Sequence, residues 1–312
     1  MTLRIIEPGP LSLIQDLGRY GYQHIGVSPG GPMDEQAFLW ANKLLANQSN
    51  DAQIEINLGM FRCEFLAQTT IAITGADMAA ELNGVVIKPW QSYSVKPGDT
   101  LSFKGSQNGL RVYLAVRGGF EVPEILGSCS TVARDQLGGL HEDGSKLRAG
   151  DCLNYTASDP MLTRQVPEVF IPDYSQDITL EVIPGYQYEW FDKHERYRFF
   201  NAAYTLSQQI DRMGYRLSGE AIGCREQGLI SEGIALGAIQ IPADGQPIIL
   251  MRDRQTIGGY PKIGCVKIKD LSPLAQCIPG ATIRFVEKDL YKAEAEYRQI
   301  KLFFSRTASS YK

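Results

Sequence analysis

The feature that most constrains this chain is a short turn followed by strict alternation, and it occurs three times. Residues 96–103 read KPGDTLSF, residues 148–155 read RAGDCLNY and residues 278–285 read IPGATIRF. Each carries a central glycine and then apolar side chains at every second position. A period of two places those side chains on one face of a pleated strand, and glycine lets the turn before it take backbone angles that other residues resist. Val112, Leu114 and Val116 alternate in the same way. The residues therefore predict a mainly β chain, and the repeat predicts two related β modules.

With 312 residues the chain exceeds one ordinary domain, and two of about 150 residues each are expected. The stretch 156–176 carries Pro160, Pro167 and Pro172 with few apolar pairs, the composition of a linker. The expected division is a first module over 1–158, a linker over 159–176, a second module over 177–288, and a C-terminal amphipathic helix and tail over 289–312. Helical spacing is confined to three places. Residues 33–47 put Ala37, Phe38, Ala41, Leu44 and Leu45 on one face, with Pro32 suited to the first helical position. Residues 189–200 form a rougher aromatic helix. Leu290, Ala293, Tyr297, Ile300 and Phe304 make a narrow seam that serves either the protein's own surface or a partner helix.

A hydrophobic content of 44% against 21% charged residues supports a sizeable core and excludes disorder. A formal charge of −4 and a pI near 5.6 argue against a nucleic-acid binder, which is normally basic. MTLRIIEPG lacks the layout of a signal peptide, and the longest apolar run, 233–241, is too short for a bilayer. A cytoplasmic protein with no membrane or nucleic-acid partner is the expectation. The six cysteines form no C-x-x-C pair and read as buried, inert thiols. His24, His141 and His194 are not at metal-ligand spacing, so no metal site is expected.

Gly26-Val27-Ser28-Pro29-Gly30 matches G-x-S-x-G, the nucleophile elbow. An elbow needs the backbone N–H that follows the serine, and Pro29 has none, so that reading fails. No phosphate-cradling glycine motif occurs, which implies that any ATP is held with or by a partner. No Met-Lys dipeptide marks a biotinylated lysine. Two stretches carry denser chemistry. QDLGRYGYQHIGVSPGGPMD, residues 15–34, combines glycines with Asp16, Arg19 and Asp34. DRQTIGGYPKIG, residues 253–264, follows the apolar run 248–251 and sets an acid, a base, an amide and a hydroxyl before two glycines.

These stretches, with AITGAD (72–77), YLAVRGGFEVPEILGSCST (113–131), DRMGYRLSG (211–219) and SEGIALGAIQIPADGQPI (231–248), resemble the biotin-dependent carboxyltransferase, or allophanate hydrolase subunit 2, family. The likeness runs from Arg4 to Glu287 and is strongest to the branch that serves 5-oxoprolinase. It implies two tandem cyclophilin-like β-barrel modules, and partners: a B component resembling allophanate hydrolase subunit 1, and an A component. The implied activity is ATP-dependent opening of the 5-oxo-L-proline lactam to L-glutamate, with this chain inactive alone. Two other activities occur among relatives. One is biotin-dependent carboxyl transfer to urea or a similar amide. The other is regulatory binding that antagonises a partner which inhibits a kinase.

The resemblance places a substrate cleft at strand mouths of the second module, so DRQTIGGYPKIG reads as part of a site. Asp253 is expected as a general base or an orienting carboxylate. Gln255 and Thr256 offer donors and acceptors to an amide, and Tyr260 could close over it. Gly258 and Gly259 let a planar substrate approach the backbone. Arg212 and Gln240 complete the expected binding set, the arginine because its planar fork grips carboxylates or acyl phosphates. The competing account is that these residues satisfy buried backbone at barrel corners.

Overall fold

The computed structural model describes residues 2–175, 177–226 and 229–305, and the chain divides into two compact units. Of the described residues, the first unit takes 2–20, 30–174 and 302–305, and the second takes 21–29 and 175–301. No helix among the described residues is long and apolar enough to cross a membrane.

The first unit is built from a six-stranded and a five-stranded sheet, with a common core between them. Leu3, Phe61, Phe65, Leu101 and Phe103 come from the larger sheet, and Ile54, Ile56, Ile71, Ile73, Val112 and Leu114 from the smaller. Alternation explains the sorting: Thr100–Phe103 buries Leu101 and Phe103 and leaves the residues between them partly exposed. The repeated turns behave alike. Gly98, Gly150 and Gly280 all have positive φ, at 89°, 90° and 97°, and each precedes a strand.

Helix α1, Glu35–Leu44, packs Phe38 and Ala41 on the five-stranded sheet. It begins two residues later than its spacing predicts. Asp34, not Pro32, sets the start, because its Oδ1 accepts the otherwise orphaned N–H of Ala37 at 3.0 Å. The expected linker is also different. Residues 160–174 belong to the first unit: Arg164 and Val166 hydrogen-bond to Ser92 and Trp90 beside the edge strand Gln91–Val95, and Val166 is fully buried. Prolines are tolerated there because an edge need not donate on both sides.

The second unit is a closed barrel of seven strands. Ile178–Pro184 pairs with Lys262–Val266 antiparallel and with Thr282–Glu287 in parallel, which closes the ring. Tyr204, Tyr215, Leu217, Ile239, Ile249 and Phe285 fill it. The aromatic stretch splits into a short turn, Tyr188–Trp190, and helix α2, Lys193–Asn201, whose Phe199 stacks on Phe285 at 4.4 Å. Helix α3, Ile268–Gln276, has no counterpart in the sequence reading, since Pro273 inside it obscures the pattern. Helix α4, Leu290–Ser305, covers the predicted seam. Ala293 is buried against the barrel side, and Glu296 joins Lys267, Lys288 and Glu181 in an ion network.

Candidate functional site

The second unit presents its chemistry where three barrel strands end. Ile248–Leu250 pairs with Gly214–Ser218 on one side and Ala238–Gln240 on the other. The chain then turns so that Asp253 N–H donates to the Arg212 carbonyl at 2.8 Å. Their side chains meet as well. Arg212 Nε lies 2.8 Å from Asp253 Oδ2, and Nη2 lies 3.0 Å from Oδ1. Both residues are buried, at 8% and 3% exposure. The two carboxylate oxygens are thus both engaged by one guanidinium, an arrangement that orients the loop.

Beyond this pair lies a cleft of about 300 Å³. Gln240, Gln255 and Tyr260 from the expected set line it, together with Asp211 and Arg216. Arg216 is bonded to Asp244 at 2.8 Å, and Asp211 Oδ1 accepts Met213 and Gly214 N–H groups at 2.7 and 3.0 Å. Tyr260 is half exposed. Gln240 is only 3% exposed, and its Nε2 is buried without a hydrogen-bond partner among the described residues. A buried donor left unmade costs on the order of 1–3 kcal/mol. Such a cleft sits at the small end of ligand sites and suits a compact molecule.

Arg212, Asp253, Thr256, Gly258 and Gly259 are not part of the cleft wall. The Thr256 carbonyl accepts the Ile234 N–H at 3.1 Å, and Ile257–Gly258 pairs with Glu232–Gly233. A Cβ on Gly259 would stand 2.9 Å from the Leu229 carbonyl oxygen, so the chain's own backbone passes close to this glycine. The sequence reading also passed over Lys262. It is buried and paired with Glu232, while Gln187 donates to Glu232 at 2.7 Å and accepts the Lys262 N–H at 2.7 Å. Burial and the neighbouring Glu232 carboxylate push the Tyr186 phenol up to about 12. A lysine inside the apolar run 261–266 was the available signal.

The other dense stretch divides. Residues 21–29 lie in the second unit, where the buried Ser28 hydroxyl donates to the Arg254 carbonyl at 3.2 Å. Residues 15–20 and 30–34 lie in the first. There Asp16 accepts Ser128 Oγ and Ser130 Oγ at 2.6 Å each, and Arg19 donates to the Ser130 carbonyl at 2.7 Å. Met33 N–H reaches Glu55 at 2.8 Å, Tyr113 donates to the same carboxylate at 2.6 Å, and Asp34 N–H reaches the Tyr113 oxygen at 2.8 Å. Burial, with the Glu55 and Asp34 carboxylates adjoining, holds the Tyr113 phenol well above its ordinary value.

A mainly β chain of two units, the second a closed seven-stranded barrel, has its counterparts among carboxyltransferase domains. The chain belongs to the carboxyltransferase domain, subdomain A and B, family, whose model matches residues 25–287. It is 36% identical to the C subunit of 5-oxoprolinase from Escherichia coli (strain K12), over 98% of this chain and 97% of that protein. A protein of the same name from Haemophilus influenzae is also 36% identical, over 97% of this chain and 96% of its own length. Among solved structures, the K. lactis urea amidolyase superposes with a TM-score of 0.89 at 30% identity. That match covers 97% of this chain but 20% of the larger protein.

Proposed function

We propose that this chain is the C component of a cytoplasmic, ATP-dependent 5-oxoprolinase that acts with A and B components and is inactive alone. The observation that carries the reading is the end-to-end match to two proteins of that name. The cleft is consistent with it, because Gln240 and Gln255 present amides to a substrate that is itself a cyclic amide. An unstrained five-membered lactam resists hydrolysis, and ATP would activate it by phosphorylating the amide oxygen. The cleft wall carries the acidic Asp211, and its Arg216 is bonded to Asp244, a lining that favours a neutral ligand over a triphosphate. In this reading the chain's own share is binding and orientation of the lactam, with ATP held with or by a partner.

The test is 5-oxo-L-proline-dependent ADP release by this chain with its A and B partners, omitting each component in turn. Glutamate formed in step with ADP, and lost without this chain, is the expected result. Turnover by the isolated chain would overturn the dependence on partners. The likeness to urea amidolyase favours a second reading, carboxyl transfer from biotin on a separate carrier to urea or a similar amide. Urea-dependent loss of carboxyl from carboxybiotin, with no 5-oxoproline-dependent ADP release, would select it.

A further inference from the structure

Gln240 lines the cleft while its Nε2 stays buried and unmatched. The terminal torsion of glutamine is broad and roughly two-fold, so the amide can turn toward the cleft at little cost. Its neighbour Gly258 leaves room for the amide where it now sits. A Cβ on Gly258 would stand 2.9 Å from Gln240 Nε2 and 2.6 Å from Ile234 Cδ1. Gly258 does not have the positive φ that would itself demand glycine, so space is what the residue supplies here.

We propose that Gln240 is the cleft's amide-recognition residue. Turned outward, its Nε2–H donates to a ligand carbonyl while its Oε1 accepts the N–H beside that carbonyl, two parallel hydrogen bonds in one plane. The ligand class is a small molecule with a cis N–H and C=O on adjacent atoms. The lactam of 5-oxo-L-proline, urea and the ureido ring of biotin all present that pair. This inference rests on the reading of the cleft as a substrate site, and it deepens that reading to the atoms that make contact.

The test uses the full chain labelled with ¹⁵N and follows side-chain amide signals, the Gln240 pair being identified by its loss in Gln240→Leu. The probes are 2-pyrrolidinone, N-methyl-2-pyrrolidinone, 5-oxo-L-proline, urea and biotin. The Gln240 signals are expected to move with 2-pyrrolidinone, and about tenfold or more weakly with its N-methyl analogue, which lacks the N–H. Whichever natural compound moves them at the lowest concentration identifies the source. No movement with any probe, or equal response to the N-methyl compound, would overturn the proposal. ADP release in the reconstituted complex without any Gln240 response would sink this inference alone. A Gln240 response without ADP release would leave it standing and sink the oxoprolinase reading.

Discussion

Arg212 and Asp253 face each other fork to fork, with nitrogen–oxygen distances of 2.8 and 3.0 Å, and both are nearly out of reach of water. The pair joins the hairpin 210–214 to the loop that follows strand Ile248–Leu250, so it fixes the floor from which the cleft residues rise. Removing one member takes the two-bond partner away from a buried charge. Asp253→Ala is expected to lose about 3–5 kcal/mol of stability, read from the urea midpoint. The double change Arg212→Met, Asp253→Leu should lose less than Asp253→Ala alone. Near-normal stability in Asp253→Ala would show that the pair does not hold the loop.

Helix α4 is tied to the barrel by charge. Hydrogen bonds from Lys288 and then Lys267 pull Glu296 down to about 2 from its ordinary 4.5. A depressed carboxylate stabilises fully above its unfolded value and loses that contribution as pH falls through the folded one. Glu296→Gln should therefore melt below the native protein at pH 7, and the gap should close between about pH 4.5 and 2. At the alkaline end, burial works against the charge on Lys267, but its hydrogen bonds to Glu181 and Glu296 outweigh burial and raise its value. That contribution persists at neutral pH and fades only above the ordinary lysine range. A gap unchanged at pH 2 would show that the contact is not ionic.

Gly75 lies within the strand Thr69–Asp77 with φ of 92°, beside the register shift between Asn108 and Val112. A Cβ there would stand 2.5 Å from the Arg111 carbonyl oxygen. Gly75→Ala is expected to cost on the order of 1–3 kcal/mol, as a lower urea midpoint at unchanged slope. An unshifted midpoint would mean that the bulge relaxes freely.

The cysteines are not uniformly buried, as their spacing had suggested. Cys152 faces outward on the strand Cys152–Asn154, whose alternation buries Leu153 instead. Burial pushes the Cys265 and Cys277 thiols up to about 11 and 12, and it raises Cys63 and Cys129 as well. Brief treatment of the folded protein with iodoacetamide at pH 8 should modify Cys152 first, as located by peptide mass analysis. Early modification of Cys63 or Cys277 would contradict the packing.

Sequence reasoning located the architecture well because its signals were local. The turn glycines 98, 150 and 280 and the alternation after them depend only on neighbours in the chain. Gln240, Gln255 and Tyr260 were also legible as a group and do line one cleft. Long-range contacts are what spacing cannot encode. Arg212 and Asp253, 41 residues apart, engage each other. Residues 164–166 read as linker because their partners lie some 70 residues earlier, at Trp90 and Ser92. Lys262 was hidden because a charge inside a strand reads as an exposed position until Glu232 is seen beside it.

The membership of the two units is interleaved along the chain. Residues 21–29 leave the first unit for the second, and residues 302–305 return to the first. No single cut can therefore yield two whole halves: a break near residue 175 leaves one fragment without its closing residues and the other without an early segment that includes Ser28. The same order applies during synthesis. Residues 21–29 emerge long before most of the barrel that receives them, and the first unit waits for the last turn of α4. The second unit has its full complement only once residue 301 has been made, and the first only once residue 305 has.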